Sequence, residues 1–149
     1  MKYVAILCVL LLTACNTDDD GVDCSTVLCA SPELILQFVD AQTGEDLFVD
    51  GPLDIQDLEI TDASDQLPVP FRVSQFEGQL FIFLETFVAV STSRSYQMEV
   101  DGSFAIDFSF TAVPDNSDDC CPIVNYENLN TDAAGIEQLD GSNSYRISI

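Results

Sequence analysis

The sequence contains no histidine and no tryptophan, and lysine occurs once, at Lys2. Histidine is the usual general base for a serine or cysteine nucleophile and the commonest side-chain ligand for transition metals. Its absence therefore argues against most hydrolytic triads and most catalytic metal centres. Tryptophan is the usual platform for stacking on sugars. No glycine-rich phosphate loop of a recognised spacing occurs either, so carboxylates are the main groups left for chemistry.

Positive charge is nearly absent from the chain, which carries 4 lysines and arginines against 26 acidic residues and a net charge of −22. The arginines are Arg72, Arg94 and Arg146. Nucleic-acid affinity comes largely from lysine and arginine at phosphates, so the composition predicts no nucleic-acid partner. Anionic lipid headgroups would also repel this surface, and membrane attachment would require an anchor. The charge is typical of a well-solvated exported protein, with a specific cationic partner as the alternative.

Carboxylates keep one enzymatic alternative open. Glycoside hydrolysis needs two acids held about 5 to 10 Å apart. Among 26 acidic residues some pair will have this spacing by chance, and glycosidase cores are usually larger than this chain. We therefore expect that the protein is not an enzyme, and a small two-carboxylate hydrolase is the less favoured hypothesis.

The first fifteen residues have the order of a secretory signal peptide. Lys2 is followed by an apolar run from Val4 to Leu12, which is shorter than the roughly 20 residues that a membrane-spanning helix needs. The run leads into Leu12-Thr13-Ala14-Cys15, which resembles the lipobox of bacterial lipoproteins. The resemblance implies that residues 1–14 are removed and that Cys15 becomes the acylated N-terminus.

An acidic stretch follows the predicted lipidation site. Residues 16–23 have too little apolar surface to order themselves, which predicts a flexible tether. Asp18-Asp19-Asp20 resembles the export signal of surface lipoproteins in the Bacteroidota. That resemblance implies a lipid anchor in the bacterial outer membrane and exposure at the cell surface, with a periplasm-facing anchor as the alternative. We expect residues 15–32 to form the tether and residues 33–149 to form one domain.

Four cysteines remain after the signal peptide and Cys15, namely Cys24, Cys29, Cys120 and Cys121. An even number in an exported chain predicts two disulfides, with three connectivities. Pairing Cys24 with Cys29 would force a bond between adjacent cysteines, whose Cα atoms lie about 3.8 Å apart and thus closer than is usual. We favour cross-pairing between the two pairs. A four-thiolate metal site is disfavoured because adjacent cysteines do not form a zinc knuckle.

The remaining pattern predicts an all-β, antiparallel sandwich of about seven to nine strands. Strand-length alternation begins at Glu33, and the run 79–84 is apolar on both faces, which predicts a strand buried on both sides. Glu77-Gly78 predicts a tight connection into that run, and Asp101-Gly102 between two alternating runs predicts a hairpin. We expect the phenylalanines and Tyr96, Tyr126 and Tyr145 to be core. Two stretches, 52–57 and 131–139, are candidate short helices.

A further resemblance lies in the segment 38–47, Phe-Val-Asp-Ala-Gln-Thr-Gly-Glu-Asp-Leu. It is similar to the opening turn of carboxypeptidase-regulatory-like and other transthyretin-type sandwiches. Independently of that family, Asp40 and Thr43 are able to hydrogen-bond the backbone of the turn while Gly44 takes a positive φ. The resemblance implies a β-sandwich and carries no activity with it.

Calcium is the metal that this oxygen-rich sequence suits best. Asp115, Asp118 and Asp119 concentrate carboxylates in one stretch, although without the spacing of an EF-hand loop. We expect a solvated acidic loop with no metal and no cofactor, and calcium at these three residues is the alternative.

The sequence as a whole predicts a lipid-anchored surface lipoprotein with a non-catalytic binding or structural role. Its expected contacts are the membrane, through Cys15, and an envelope protein or a glycan. The alternative is a glycan- or calcium-binding accessory module of an uptake system. An exposed row of aromatic side chains on one sheet face would favour that alternative.

Overall fold

A computed structural model describes most of the domain predicted to begin at residue 33. The described residues are Ser25, Leu28, 33–49, 51–85, 90–102, 104–115, 120–121, 123–133, 135–139 and 143–149. Their nine strands are β1 Glu33–Val39, β2 Leu58–Asp62, β3 Phe71–Phe76, β4 Gln79–Glu85, β5 Thr92–Val100, β6 Phe104–Asp115, β7 Ile123–Thr131, β8 Gly135–Leu139 and β9 Ser144–Ser148. A 3₁₀ turn spans Ile55–Asp57, and within the described residues no helix is long and apolar enough to cross a membrane.

The strands form two sheets, which confirms the predicted all-β sandwich. One sheet has five strands in the order β3-β4-β1-β9-β8, and the other has four in the order β2-β5-β6-β7. Neighbouring strands are antiparallel except for β1 and β9, which are parallel. The last strand of the chain therefore lies beside the first, in the middle of the five-stranded sheet.

The core lies between the sheets and is built by every second residue of the strands. Leu34, Leu36 and Ile82 from the five-stranded sheet are fully buried, as is Met98 from the other. An aromatic cluster fills one region of the core, where ring pairs meet edge to face at centroid distances of 5.5 to 5.7 Å. Its members are Tyr96, Phe108, Phe110 and Tyr126. The prediction that Tyr96, Tyr126 and Tyr145 are core residues is confirmed.

The turn after β1 has the hydrogen bonds expected from its sequence. The Asp40 carboxylate accepts from the backbone N–H groups of Gln42 and Thr43 at 2.8 and 2.7 Å. The Thr43 hydroxyl accepts from the N–H of Glu45, and Gly44 has a φ of +73°. These backbone hydrogen bonds stabilise the ionised carboxylate, and they lower the pKa of Asp40.

Two hairpins also follow the sequence. Glu77 and Gly78 connect β3 to β4 as a two-residue loop with φ values of +50° and +80°, the pattern of a type I′ turn. Asp101 and Gly102, between β5 and β6, likewise have positive φ. Gly78 and Gly102 adopt positive φ without steric cost, and Asp101 tolerates it, whereas Glu77 adopts it at a cost.

Three local predictions are wrong. Residues 131–139 do not form a helix: β7 extends to Thr131, and Gly135–Leu139 pairs with β9 as a strand. Strand β6 continues to Asp115, which pairs with Ile123, so Asp115 belongs to a strand and not to the predicted acidic loop. The run 79–84 is buried on its inner face only. Phe81 and Phe83 are half-buried on the outer face, because no third layer covers the described part of that sheet.

Candidate functional site

The outward side of the five-stranded sheet carries arginine and phenylalanine side chains, although acidic residues far outnumber arginines in the chain. Directly paired residues on neighbouring strands share a face, and the register aligns Arg72 with Phe83 and Phe83 with Ile35. The adjacent row contains Gln37, Arg146 and Glu137. We call this surface the outer face, defined by Ile35, Gln37, Arg72, Phe76, Phe81, Phe83, Glu137 and Arg146.

Arg72 is held over the outer face by two neighbours. Its guanidinium forms a bidentate ion pair with Glu33, with distances of 2.8 and 2.5 Å between nitrogen and oxygen atoms. The guanidinium carbon also lies 3.9 Å from the centre of the Phe83 ring, in cation–π geometry. The hydrogen bonds to Glu33 raise the pKa of Arg72 above its ordinary value. The arginine is thereby ordered although 52% of its side chain is exposed.

Gln37 is the unusual member of the outer face, because it is a polar residue with only 1% of its surface exposed. Its side-chain oxygen accepts from Nε of Arg146 at 2.9 Å, and Arg146 also pairs with Glu137 at 3.3 Å. Because arginine only donates, the oxygen of the amide must face Arg146. The Gln37 Nε2 is left buried without a hydrogen-bond partner among the described residues, an arrangement that costs about 1 to 3 kcal/mol.

Three phenylalanines lie on the same surface. Phe76 is 65% exposed at the end of β3, and Phe81 and Phe83 are half-buried on β4. Phe76 pairs with Gln79, which places it diagonally beside Phe81. The prediction that the phenylalanines are core is wrong for these three, although it holds for Phe38 and Phe108. Both sides of β4 are apolar in the sequence, so the sequence of this strand does not indicate which side the other sheet buries.

The hydrolase hypothesis requires a close, partly buried pair of acids. Glu59 and Glu99 are direct partners between β2 and β5, and with Asp57 and Asp101 they line a cavity of about 300 Å³. All four of these acids are exposed. They are therefore not the partly buried pair that this hypothesis requires.

The residues predicted as sites are placed only in part by the described structure. Cys15, Cys24, Cys29, Asp118 and Asp119 lie outside the described residues. Cys120 and Cys121 are both disulfide-bonded, and their pairing with Cys24 and Cys29 stays a prediction. Asp115 is half-buried at the end of β6. Within the described part of the chain no group of three or more potential ligands is placed to hold a metal ion.

Comparisons with known proteins do not assign this chain to a family. No protein-family model, no curated protein and no solved structure matches it. We therefore infer a function from the side chains that the domain presents at its surface.

Proposed function

We propose that this protein is a non-catalytic, lipid-anchored lipoprotein of the bacterial outer membrane, exposed at the cell surface, which binds another envelope protein through its outer face. Acyl chains at Cys15 would hold the protein, and the acidic tether would give the sandwich reach. The resemblance of residues 12–15 to a lipobox supports the anchor, and Asp18-Asp19-Asp20 supports surface display.

The single observation that carries the binding role is the composition of the outer face. Two of the chain's three arginines, Arg72 and Arg146, lie there beside three phenylalanines that are at least partly exposed. Aromatic residues and arginine are enriched at protein interfaces and at the residues that dominate binding energy, whereas glutamate and aspartate are depleted. The three phenylalanines alone would also suit the glycan-binding alternative, but the two arginines beside them favour a protein partner.

The arginines reduce the cost of docking a partner on such an acidic protein. Arg72 pairs with Glu33 and Arg146 pairs with Glu137. These two carboxylates therefore add little to the negative charge that a partner would meet on the outer face. Gln37 adds two donor hydrogens that are unpaired within the described residues. A backbone carbonyl of a partner would accept one of these hydrogens once the side chains that cover Gln37 move aside.

The anchor is tested by Cys15→Ala in the cell of origin. The variant should move from the membrane fraction to the soluble fraction, and it should no longer incorporate labelled palmitate. Retention in the membrane fraction with unchanged labelling would contradict the lipobox hypothesis.

The binding face is tested by photo-cross-linking in intact cells. A cross-linking amino acid at Phe76 should give a discrete adduct with one envelope protein, and the adduct should be lost when Arg72 and Phe81 are changed to alanine. The matched control is Leu67, which is 61% exposed against 65% for Phe76 and precedes β3 rather than ending it. Equal cross-linking from both positions, or none from Phe76, would contradict the proposal.

A further inference from the structure

A second concave surface lies at the edge of the sandwich that β7 and β8 form. The cleft has a volume of about 540 Å³, which is within the range of small-molecule sites. It is separate from the outer face, since none of the residues that define that face lines it.

The cleft follows from the unequal number of strands in the two sheets. Strand β7 ends the four-stranded sheet, and β8 ends the five-stranded one. By register, Ile136 and Gln138 lie on the inward side of β8 beside Ile147 and Tyr145. Both are nevertheless exposed, so the described strands of the four-stranded sheet do not cover them. An inward-facing sheet surface is thereby left open to solvent.

The floor of the cleft is rigid. Asn143 donates from Nδ2 to the carbonyl oxygen of Val124 at 2.6 Å and accepts from the N–H of Tyr126 at 3.3 Å, so its amide pairs with the edge of β7 as a backbone peptide would. The Tyr145 hydroxyl donates to the carbonyl oxygen of Tyr126. These bonds satisfy backbone groups of Val124 and Tyr126 and fix the ring of Tyr145.

The rim of the cleft is rich in amides and poor in charge. Asn125, Asn128 and Gln138 are exposed there, and Glu127 is the one carboxylate among the described lining residues. Asn128 has a φ of +55° and lies where the register of β6 and β7 shifts. Such bulges redirect side chains away from the regular alternation of a strand.

This chemistry selects an uncharged ligand with many hydroxyl groups. Each amide both donates and accepts, and a sugar hydroxyl does the same. Glu127 would repel an anion, and a single carboxylate is a poor set of ligands for calcium. Leu129, Ile136 and the edges of the tyrosine rings offer apolar contact to the C–H groups of a sugar ring. We infer that the cleft between β7 and β8 is a binding site for a neutral glycan.

The inference is tested with the full chain, solubilised in a polyoxyethylene detergent that carries no sugar, on an array of neutral and acidic glycans. We expect binding to at least one neutral glycan. The double variant Asn125→Ala, Gln138→Ala should weaken it about tenfold or more, the loss expected for one or two hydrogen bonds. The matched control is Asn130→Ala, an exposed amide on the same strand that does not line the cleft.

Three outcomes would overturn the inference. They are binding to no neutral glycan, binding confined to acidic glycans, and binding that the double variant leaves unchanged. Circular dichroism of the double variant establishes that a loss of binding does not come from unfolding. Changes at Arg72 and Phe76 should leave glycan binding intact, which separates this site from the proposed protein contact on the outer face.

Discussion

The hydroxyl of Tyr145 donates a hydrogen bond to the backbone carbonyl oxygen of Tyr126 over 2.5 Å. Tyr145 belongs to β9 and Tyr126 to β7, so the bond joins the two sheets at the edge where the cleft lies. Both side chains are buried, with 6% and 3% of their surfaces exposed. This hydrogen bond should stabilise the domain more than an exposed one does, because water cannot easily replace it at a buried position.

Removing that hydroxyl should destabilise the protein. In Tyr145→Phe the Tyr126 carbonyl loses this buried partner, and we expect the free energy of unfolding to fall by about 1 to 3 kcal/mol. Urea denaturation followed by circular dichroism measures this change. The control is Tyr96→Phe, since Tyr96 is also buried but its hydroxyl bonds no described residue. If both variants lose the same stability, the hydrogen bond is not the cause.

Alkaline pH should weaken the same edge of the domain. Burial raises the pKa of Tyr145, and the charge of Glu127 raises it further. The unfolded chain therefore loses this proton first, at a pH of about 10. The associated stability is intact below that pH and is lost as the pH rises through the higher pKa of the folded state. Denaturation between pH 8 and about 11 should show this loss, and it should be smaller in Tyr145→Phe.

Substitution by alanine should destabilise the protein more at Gly44 than at Gly135. A Cβ on Gly44 would touch nothing, but the residue has a φ of +73°, so Gly44→Ala should cost about 1 kcal/mol from backbone strain alone. At Gly135 a Cβ would make ordinary contact with Ser148 at 3.7 Å, and Gly135→Ala should be close to neutral. Thermal denaturation of both variants compares them, and equal shifts would argue against the strain.

Gln37 should contribute more to binding than to stability. Gln37→Leu removes the amide nitrogen that has no partner among the described residues, while half-exposed Arg146 keeps Glu137. We expect the variant to be neutral or up to about 1 kcal/mol more stable, and to lose cross-linking from Phe76. Leu36→Ala, at its fully buried neighbour, should cost about 2 to 5 kcal/mol. A comparable loss in Gln37→Leu would mean that the amide has a structural role.

The two predicted disulfides are tested by peptide mapping without reduction. We expect bridges that join the 24/29 region to the 120/121 region. Recovery of a peptide with Cys24 bonded to Cys29 would contradict the cross-pairing. Free thiols at Cys120 or Cys121 would contradict the disulfide-bonded state that the structure gives to both.

Local features of the fold could be predicted because their causes are local. The strand beginning at Glu33 follows from alternation. The turns at Asp40–Gly44, Glu77-Gly78 and Asp101-Gly102 each contain a glycine, which is suited to positive φ. The absence of histidine and the excess of acids are likewise properties of the chain itself. Both properties narrow the possible functions whatever fold the chain adopts.

Both candidate sites depend on contacts between residues far apart in the sequence. Gln37 meets Arg146 across 109 positions because β9 pairs in parallel with β1, and nothing in either segment specifies that partner. The residues 135–139 lack strong alternation, and pairing with β9 makes them a strand. Long-range pairing can override weak local preference because packing contributes more than propensity.

The sequence by itself determined that this chain forms alternating strands, joined by specific turns and surrounded by negative charge. Only the tertiary structure decided which apolar faces remain open. Strand β4 is apolar on both sides, and the opposing four-stranded sheet covers just one of them, so Phe81 and Phe83 reach the outer face. Ile136 and Gln138 on the inward side of β8 stay exposed, and they become a wall of the cleft. Burial depends on what lies across the sheet, which no single strand encodes.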